Sequence, residues 1–292
     1  MKHDDLEEGA KELEDLGKMV KQSLSSYDPE YLESYSIDGV MFSQVYEYLG
    51  LLYNGVKERI PVLSSPGREV IPSSALHWGY ETLNIRADNT ERFATAYDLK
   101  DFPDTSAWGQ FDAILTLPVE FTLTQSFLCM GIFESQKGIS SQINKLVSVN
   151  DKATHQVEEL QSAIGYISSG ELAFGEYHAA LVVYGETEKK ANDNGTQVSS
   201  CFLANCGARF IKATLSSPYT YLSQIPGAKI KPRPMMKSSR NLAATFGMHN
   251  YSSGKSSGNP IGDGSPVMPL QTLSWCVYSF NFHYSRDAEN SH

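Results

Sequence analysis

The sheet of this protein is predicted by the stretch Val119-Glu-Phe-Thr-Leu-Thr-Gln-Ser-Phe-Leu-Cys-Met130, whose β-branched and aromatic residues favour a strand. A second strand is predicted over residues 177–184, which read Tyr-His-Ala-Ala-Leu-Val-Val-Tyr. Residues 93–130 and 177–215 both have the order strand, helix, strand, without a sequence repeat strong enough to indicate duplication. We therefore predict an α+β fold in which helices pack on a mixed sheet.

Two predicted helices belong to these units, one over residues 104–117 and one over residues 197–205. The first ends before Pro118, because proline disfavours helical backbone at the residue that precedes it. Its apolar side carries Trp108, Phe111, Ile114 and Leu115. The polar, charged residues 185–195 are predicted to form a loop.

Upstream of these units, Asn54-Gly55 favours a hairpin turn, since both residues tolerate positive φ. The flanking residues 45–52 are compatible with either a helix or a strand. A short helix is predicted after Pro218, followed by a loop region rich in Gly, Pro and Ser up to residue 269 and a final strand over residues 273–283.

The clearest periodic pattern runs from Ile139 to Ile167, where apolar residues recur at alternating steps of four and three around Asn150. Two interpretations stay open: a coiled-coil or helical-hairpin interface for a partner, or a helical region laid on the domain's own sheet, with a break near residues 149–151 that splits it. The candidate partner-contact residues are Ile143, Leu146, Val157, Leu160 and Ile164.

The chain begins with a second periodic segment, in which Leu6, Ala10, Leu13, Leu16, Val20 and Leu24 place one apolar stripe on an otherwise acidic helix. We therefore divide the chain into an N-terminal helical arm over residues 1–34 and an α+β body over residues 35–228. Residues 229–292 are predicted to be a connector with a final strand.

Charge and composition exclude several classes of function. A formal net charge of -10 argues against binding to nucleic acid or to anionic lipid. The acidic N-terminus predicts no secretory signal, and the longest weakly polar stretch, residues 119–133, is shorter than the ~20 residues that a membrane span needs. The four cysteines and seven histidines lack the spacing of a zinc site, so no metal is predicted.

The sequence offers little catalytic chemistry. Gly254-Lys255-Ser256 resembles the end of a phosphate-binding loop, but His249 stands where that loop needs its first glycine, so no nucleotide or cofactor site is predicted in this chain. Glu176 and His178 share a strand face and could act as an acid–base pair, although no nucleophile lies beside them in the sequence. We predict no catalytic residues.

One segment has a sharp local charge. Residues 229–240 carry five basic side chains and no acidic one, against the acidic background of the chain. Two interpretations stay open: a solvated loop that balances nearby carboxylates, or a contact patch for an acidic partner or for a nucleotide or nucleic acid in an assembled motor. The candidate contact residues are Lys229, Lys231, Arg233, Lys237 and Arg240.

Five short motifs, in their order and spacing, resemble the CagE/TrbE/VirB class of type IV secretion and conjugation ATPases. They are Leu115-Thr-Leu-Pro-Val-Glu-Phe121, Gln125-Ser-Phe127, Gln224-Ile-Pro-Gly227, Ser238-Ser-Arg-Asn241 and Ser279-Phe-Asn-Phe-His283. The resemblance covers residues 13–283. In that class such a region lies just upstream of the phosphate-binding loop, so the resemblance implies an N-terminal piece of a larger motor.

What the resemblance implies about function is a docking and assembly role. Such regions attach the ATPase to inner-membrane components and support its self-association, at the cytoplasmic face of the bacterial inner membrane, where the motor energises pilus biogenesis and substrate transport. ATP and magnesium belong to the full-length relative. We expect the gene to continue past His292 and to supply G-x-x-x-x-G-K-[ST] within about 25 residues.

Two alternatives from other functional classes remain. One is a self-contained adaptor without an ATPase half. The other is a free-standing enzyme that uses the strand face of Glu176 and His178, which would require a deep pocket that gathers both side chains and perturbs their ionisation.

Overall fold

The structure is a computed structural model, and it describes residues 6–25, 29–87, 90–148, 154–247, 254–272 and 276–282. The helices are α1 (Leu6–Ser23), α2 (Gln44–Asn54), α3 (Gly67–Val70), α4 (Ile132–Ser148), α5 (Thr154–Ser168), α6 (Glu188–Cys206), α7 (Ser217–Leu222) and α8 (Ser239–Thr245). The strands are β1 (Ser34–Ile37), β2 (Val40–Ser43), β3 (Ala75–Trp78), β4 (Leu83–Ala87), β5 (Thr90–Asp101), β6 (Phe121–Cys129), β7 (Phe174–Gly185), β8 (Arg209–Lys212), β9 (Met235–Ser238), β10 (Met268–Gln271) and β11 (Val277–Phe280).

A seven-stranded sheet forms the body in the described part of the chain, with the order β3-β4-β5-β7-β6. The long strand β5 pairs with β4 through its first half and with β8 through its second half, and β9 pairs with the start of β7. The predicted α+β class is confirmed, and the pairs of this sheet are all antiparallel.

Strand β7 is the centre of the molecule, because it is covered on both faces. Tyr177, Leu181 and Val183 point into a core that α6 closes with Val198 and Phe202. Val182 and Tyr184 point to the opposite face and pack with Tyr221 of α7. Burying both faces explains why residues 177–184 form a nearly continuous apolar run, and the predicted strand is confirmed.

Helix α6 begins within the segment that was predicted to be a loop, so that prediction is wrong for most of residues 185–195. The Thr187 hydroxyl caps the helix by accepting from the Lys190 amide at 3.1 Å. The side-chain amide of Asn194 donates to the Tyr184 carbonyl at 2.9 Å, and Thr95 donates to the Ala191 carbonyl at 3.2 Å. These polar residues hold the helix against the sheet. A search for periodic apolar residues does not detect such contacts.

Helix α7 covers the opposite face of the sheet, and a hydrogen bond connects α7 to α2. The hydroxyl of Tyr221 donates to the Tyr53 carbonyl at 2.7 Å. The hairpin favoured at Asn54-Gly55 is not formed: Gly55, at φ 68°, instead ends α2 as a left-handed cap whose N–H bonds Leu51. Buried Asn54 bonds the backbone of residues 71–74, which gives it a tertiary role.

The helix predicted over residues 104–117 is also absent, and only Asp112–Thr116 forms a 3₁₀ turn. Gly109 adopts φ +68° and interrupts helical backbone midway. Phe111 and Ile114 still reach the core, but Trp108 is 87% exposed instead of lying on a buried helix face.

Residues 235–245, predicted to belong to a connector, instead add β9 to the sheet and form α8. Ser238 and Asn241 make a reciprocal capping box, with the Ser238 backbone amide donating to the side-chain oxygen Oδ1 of Asn241 at 3.0 Å. The short helix predicted after Pro218 is confirmed as α7, and a last hairpin joins β10 to β11. Part of the predicted strand 273–283, residues 273–275 and 283, lies outside the described residues.

The predicted helical arm is present as α1, and Leu13, Met19 and Val20 on it are exposed. Within the described ranges, no helix is long and apolar enough to cross a membrane.

The close contact of α6 with the sheet predicts that replacing two helical glycines by alanine has opposite effects on stability. A Cβ at Gly195 would collide with Thr95 at 2.6 Å and with Tyr97, whereas a Cβ at Gly165 of α5 would meet nothing within 4 Å. We expect Gly195→Ala to lower the free energy of unfolding by about 1–3 kcal/mol, because the helix must move off the sheet. Gly165→Ala should raise it by up to ~1 kcal/mol, through helix propensity alone. Chemical denaturation measures both, and equal effects would contradict this packing.

Candidate functional site

The heptad stripe folds into a helical hairpin, α4 against α5. Ile139 and Ile167 are buried together with Leu172 and Phe174. Of the candidate partner-contact residues, Ile143, Leu160 and Ile164 are half-buried against this cluster, while Leu146 and Val157 are half-buried elsewhere on the hairpin. The structure therefore brings most of the stripe inward, and the predicted break at residues 149–151 lies outside the described residues. Gly170 follows α5 with a positive φ of 78°, a conformation that commonly ends helices.

A different set of apolar side chains is exposed at the base of the hairpin. Leu128 at the end of β6 is 68% exposed, and Ile132 and Phe133 in the first turn of α4 are 59% and 77% exposed. We call these three residues the Phe133 ridge. Sequence reasoning missed them because they precede the heptad stripe, and only their place on the folded hairpin shows that the core does not cover them.

The five basic residues do not form one stripe. The Lys237 ammonium lies 4.4 Å from the Phe102 ring centroid, and burial lowers its pKa. Arg240 lies 5.4 Å from the Tyr166 ring centroid on α5. Lys229 and Lys231 instead line a cleft, and Arg233 is exposed. These five side chains therefore contact different parts of the molecule. That they bind one partner together stays a prediction.

That cleft has a volume of about 680 Å³ and lies between the ends of β6 and β7 and the segment 224–234 that follows α7. It gathers both Glu176 and His178, as the alternating directions of strand side chains predict. Glu176 is exposed, whereas His178 is buried. The cleft thus gathers the two residues that the enzyme interpretation names.

Beneath the cleft, buried His178 faces buried Asp98 from the neighbouring strand β5. The His178 Nε2 to Asp98 Oδ1 distance is 3.7 Å, longer than a hydrogen bond. Asp98 Oδ2 accepts from the Thr220 hydroxyl at 2.9 Å. Ser126 lies opposite His178 on β6, yet neither ring nitrogen of His178 has a hydrogen-bond partner among the described residues. The residue types of a catalytic triad are thus near one another without the hydrogen bond that activates a nucleophile.

The Gly-Lys-Ser segment is attached to the last strand. Gly254, at φ 70°, bridges to Ser279, and the Lys255 amide donates to the Ser279 carbonyl at 3.1 Å. His249 and residues 252–253 lie outside the described residues. Within the described ranges, no three His, Cys, Asp or Glu side chains are grouped as metal ligands.

Comparison with known proteins identifies what the chain is similar to. Residues 30–233, which include the hairpin and most of the cleft, match the model of the CagE, TrbE, VirB family, component of type IV transporter system. The chain is 32% identical over 279 residues to the type IV secretion system protein virB4 of Bartonella henselae, covering 95% of this chain and 35% of the relative.

Similar proteins occur in other bacteria. Identity is 28% over 289 residues to the type IV secretion system protein virB4 of Brucella abortus, covering 96% of this chain and 34% of the relative. The chain is also 28% identical over 259 residues to the protein virB4 of Agrobacterium fabrum, covering 88% of this chain and 33% of the relative. The chain thus spans about a third of the length of the curated relatives that it matches.

Because the heptad stripe faces inward, we expect a charged substitution on it to destabilise the protein. Leu160→Asp should lower the free energy of unfolding by roughly 2–4 kcal/mol, because it places an unpaired charge against the cluster of Ile139 and Ile167. Leu203→Asp on α6 is the control, since Leu203 is 53% exposed and the change should cost about 1 kcal/mol or less. Urea denaturation monitored by circular dichroism compares them, and equal costs would show that the stripe is not buried.

Proposed function

This chain belongs to the CagE, TrbE, VirB family of type IV transporter components, and we propose that it is the docking and assembly domain of a type IV secretion ATPase. In this proposal, ATP and magnesium act in another part of the motor, and the present chain attaches that motor to inner-membrane components. The family match and the similarity to virB4 proteins support the choice of apparatus.

The observation that carries the docking role is the Phe133 ridge. Exposing three large apolar side chains within six residues costs solvation free energy that a soluble surface normally avoids. Large aromatic side chains such as Phe133 are enriched where partner proteins bind. The ridge also stands on a rigid base, because Ser135 and Ile139 of the same helix are buried.

The hairpin behind the ridge supports the same role. Its inward stripe holds α4 and α5 together and fixes both to Phe174 at the start of β7. A partner that binds the ridge would therefore contact an element tied directly to the central strand. We propose that this contact places the domain at the cytoplasmic face of the inner membrane and that copies of the motor associate around it.

The cleft of Glu176 and His178 gives less support to an enzyme. Among the described residues, no hydroxyl or thiol group is hydrogen-bonded to His178, so no nucleophile is activated by it. Glu176 is exposed to solvent and is not held against His178 as an acid–base partner.

A photo-crosslinking experiment in bacteria tests the docking role in the full-length protein. A photoreactive amino acid at position 133 should crosslink to another component of the secretion apparatus, whereas one at Leu215, which is 84% exposed and far from the hairpin in sequence, should not. Phe133→Asp should abolish substrate transfer and leave the melting temperature unchanged, because the side chain is exposed.

Two results would contradict the proposal. One is normal transfer by the Phe133→Asp variant. The other is crosslinking from position 133 that yields only copies of the same chain, because the ridge would then serve self-association and not docking to other components.

A further inference from the structure

The cleft between β6, β7 and residues 224–234 is lined by two buried polar side chains whose polar atoms are not all paired within the described part of the chain. His178 and Gln224 both line it and are each 2% exposed. Both ring nitrogens of His178 and the Oε1 atom of Gln224 lack a hydrogen-bond partner among the described residues. Buried polar groups are nearly always paired in native proteins, so these atoms require hydrogen-bond partners such as ordered water or a bound molecule.

Neighbouring protein groups lie against both side chains and fix which of their polar atoms are left unpaired. Gln224 is held because its Nε2 atom donates to the Tyr221 carbonyl at 2.9 Å, which leaves Oε1 to face elsewhere. His178 is backed by Asp98, whose carboxylate lies 3.7 Å from Nε2 and is 1% exposed. A proton on Nε2 would point towards this carboxylate, so Nδ1 is the nitrogen left for a ligand.

The charges around the cleft favour an anion. Lys229 and Lys231 line it, and Glu176, the one carboxylate among its described lining residues, is exposed. Lys231 donates to the Ser223 carbonyl at 2.7 Å, and no ion pair joins it to a carboxylate among the described residues. Burial lowers the pKa of Lys231, and an anion beside the ammonium would offset this loss of solvation.

We propose that this cleft is a binding site for a small soluble oxyanion, a molecule that carries a carboxylate or phosphate group. Lys231 donates a hydrogen bond to the oxyanion, and His178 Nδ1 and Gln224 Oε1 accept hydrogen bonds from hydroxyl or amino groups of the same molecule. A cleft of about 680 Å³ is in the range that small-molecule sites occupy in proteins. The site does not rest on the proposed docking role, because its polar groups belong to β7 and to residues 224–231, although Leu128 of the Phe133 ridge also lines the cleft.

Binding of two probes to the 292-residue chain tests the proposal. Isothermal titration calorimetry with inorganic phosphate and with malate, a dicarboxylate that carries a hydroxyl group, should detect binding of at least one, and the preferred probe tells whether the site favours phosphate or carboxylate. Lys231→Met should weaken binding by about tenfold or more, because it removes a charged hydrogen bond and keeps the apolar stem. Lys100→Met, on the exposed end of β5, is the matched control and should bind as the unaltered chain does.

A second variant protects the test against misfolding. His178→Asn alone would remove the side chain that faces the buried Asp98 carboxylate, so the paired change Asp98→Asn with His178→Asn is used, and it should also weaken binding. In the unaltered chain, the imidazole resonances of His178 should move when the probe is added.

The proposal is overturned if neither probe binds at concentrations up to about 10 mM, a result that would assign the cleft to water alone. It is also overturned if Lys231→Met binds as tightly as Lys100→Met.

Discussion

The structure depends on the enclosure of β7, a twelve-residue strand with sheet neighbours along both edges and helices against both faces. Val182 and Val183, adjacent in sequence, are both fully buried and belong to different cores. This arrangement requires α6 on one side and α7 on the other, and it fixes the order of the surrounding strands. The hydrophobic free energy gained along this strand is what stabilises the rest of the body.

The same enclosure positions both surfaces of interest. The first residue of β7, Phe174, belongs to the cluster that anchors the helical hairpin, so the Phe133 ridge is tied to the central strand. Farther along, His178 is buried on the face that α7 covers, next to Asp98 of β5. Because α7 ends at Leu222, the chain beyond it spans the sheet without sealing it, and a cleft remains over His178. A single strand thus supports an outward apolar surface and an inward polar site.

The sequence predicted the elements whose signals are local. Strands β6 and β7 follow from their β-branched and aromatic residues, and the heptad stripe indicated helices that bury one side. The errors arose where tertiary contacts override local preference. Residues 185–195 look like a loop because they are polar, yet Asn194 and Gly195 fit α6 to the sheet; Gly55 caps a helix instead of turning a hairpin.

The candidate site was predictable only in part. The period of two along a strand placed Glu176 and His178 on one face, and they do line one cleft. Asp98, Gln224 and Lys231 could not be added, because they lie 80 residues before His178 and about 50 after it, and only the pairing of β5 with β7 and the course of the chain after α7 bring them together. The Phe133 ridge carries no sequence pattern, since exposure is a property of the folded surface.

Native-state hydrogen exchange is the most direct measurement of the claim that the fold depends on β7. Backbone amides of Phe174–Gly185 should exchange only through global unfolding, with an opening free energy equal to that of the whole body. Amides of α1, whose apolar residues are exposed, should exchange at much lower opening free energy. If the β7 amides instead open at a lower free energy than those of α4 and α5, then the hairpin and not the central strand holds the fold together, and the account is contradicted.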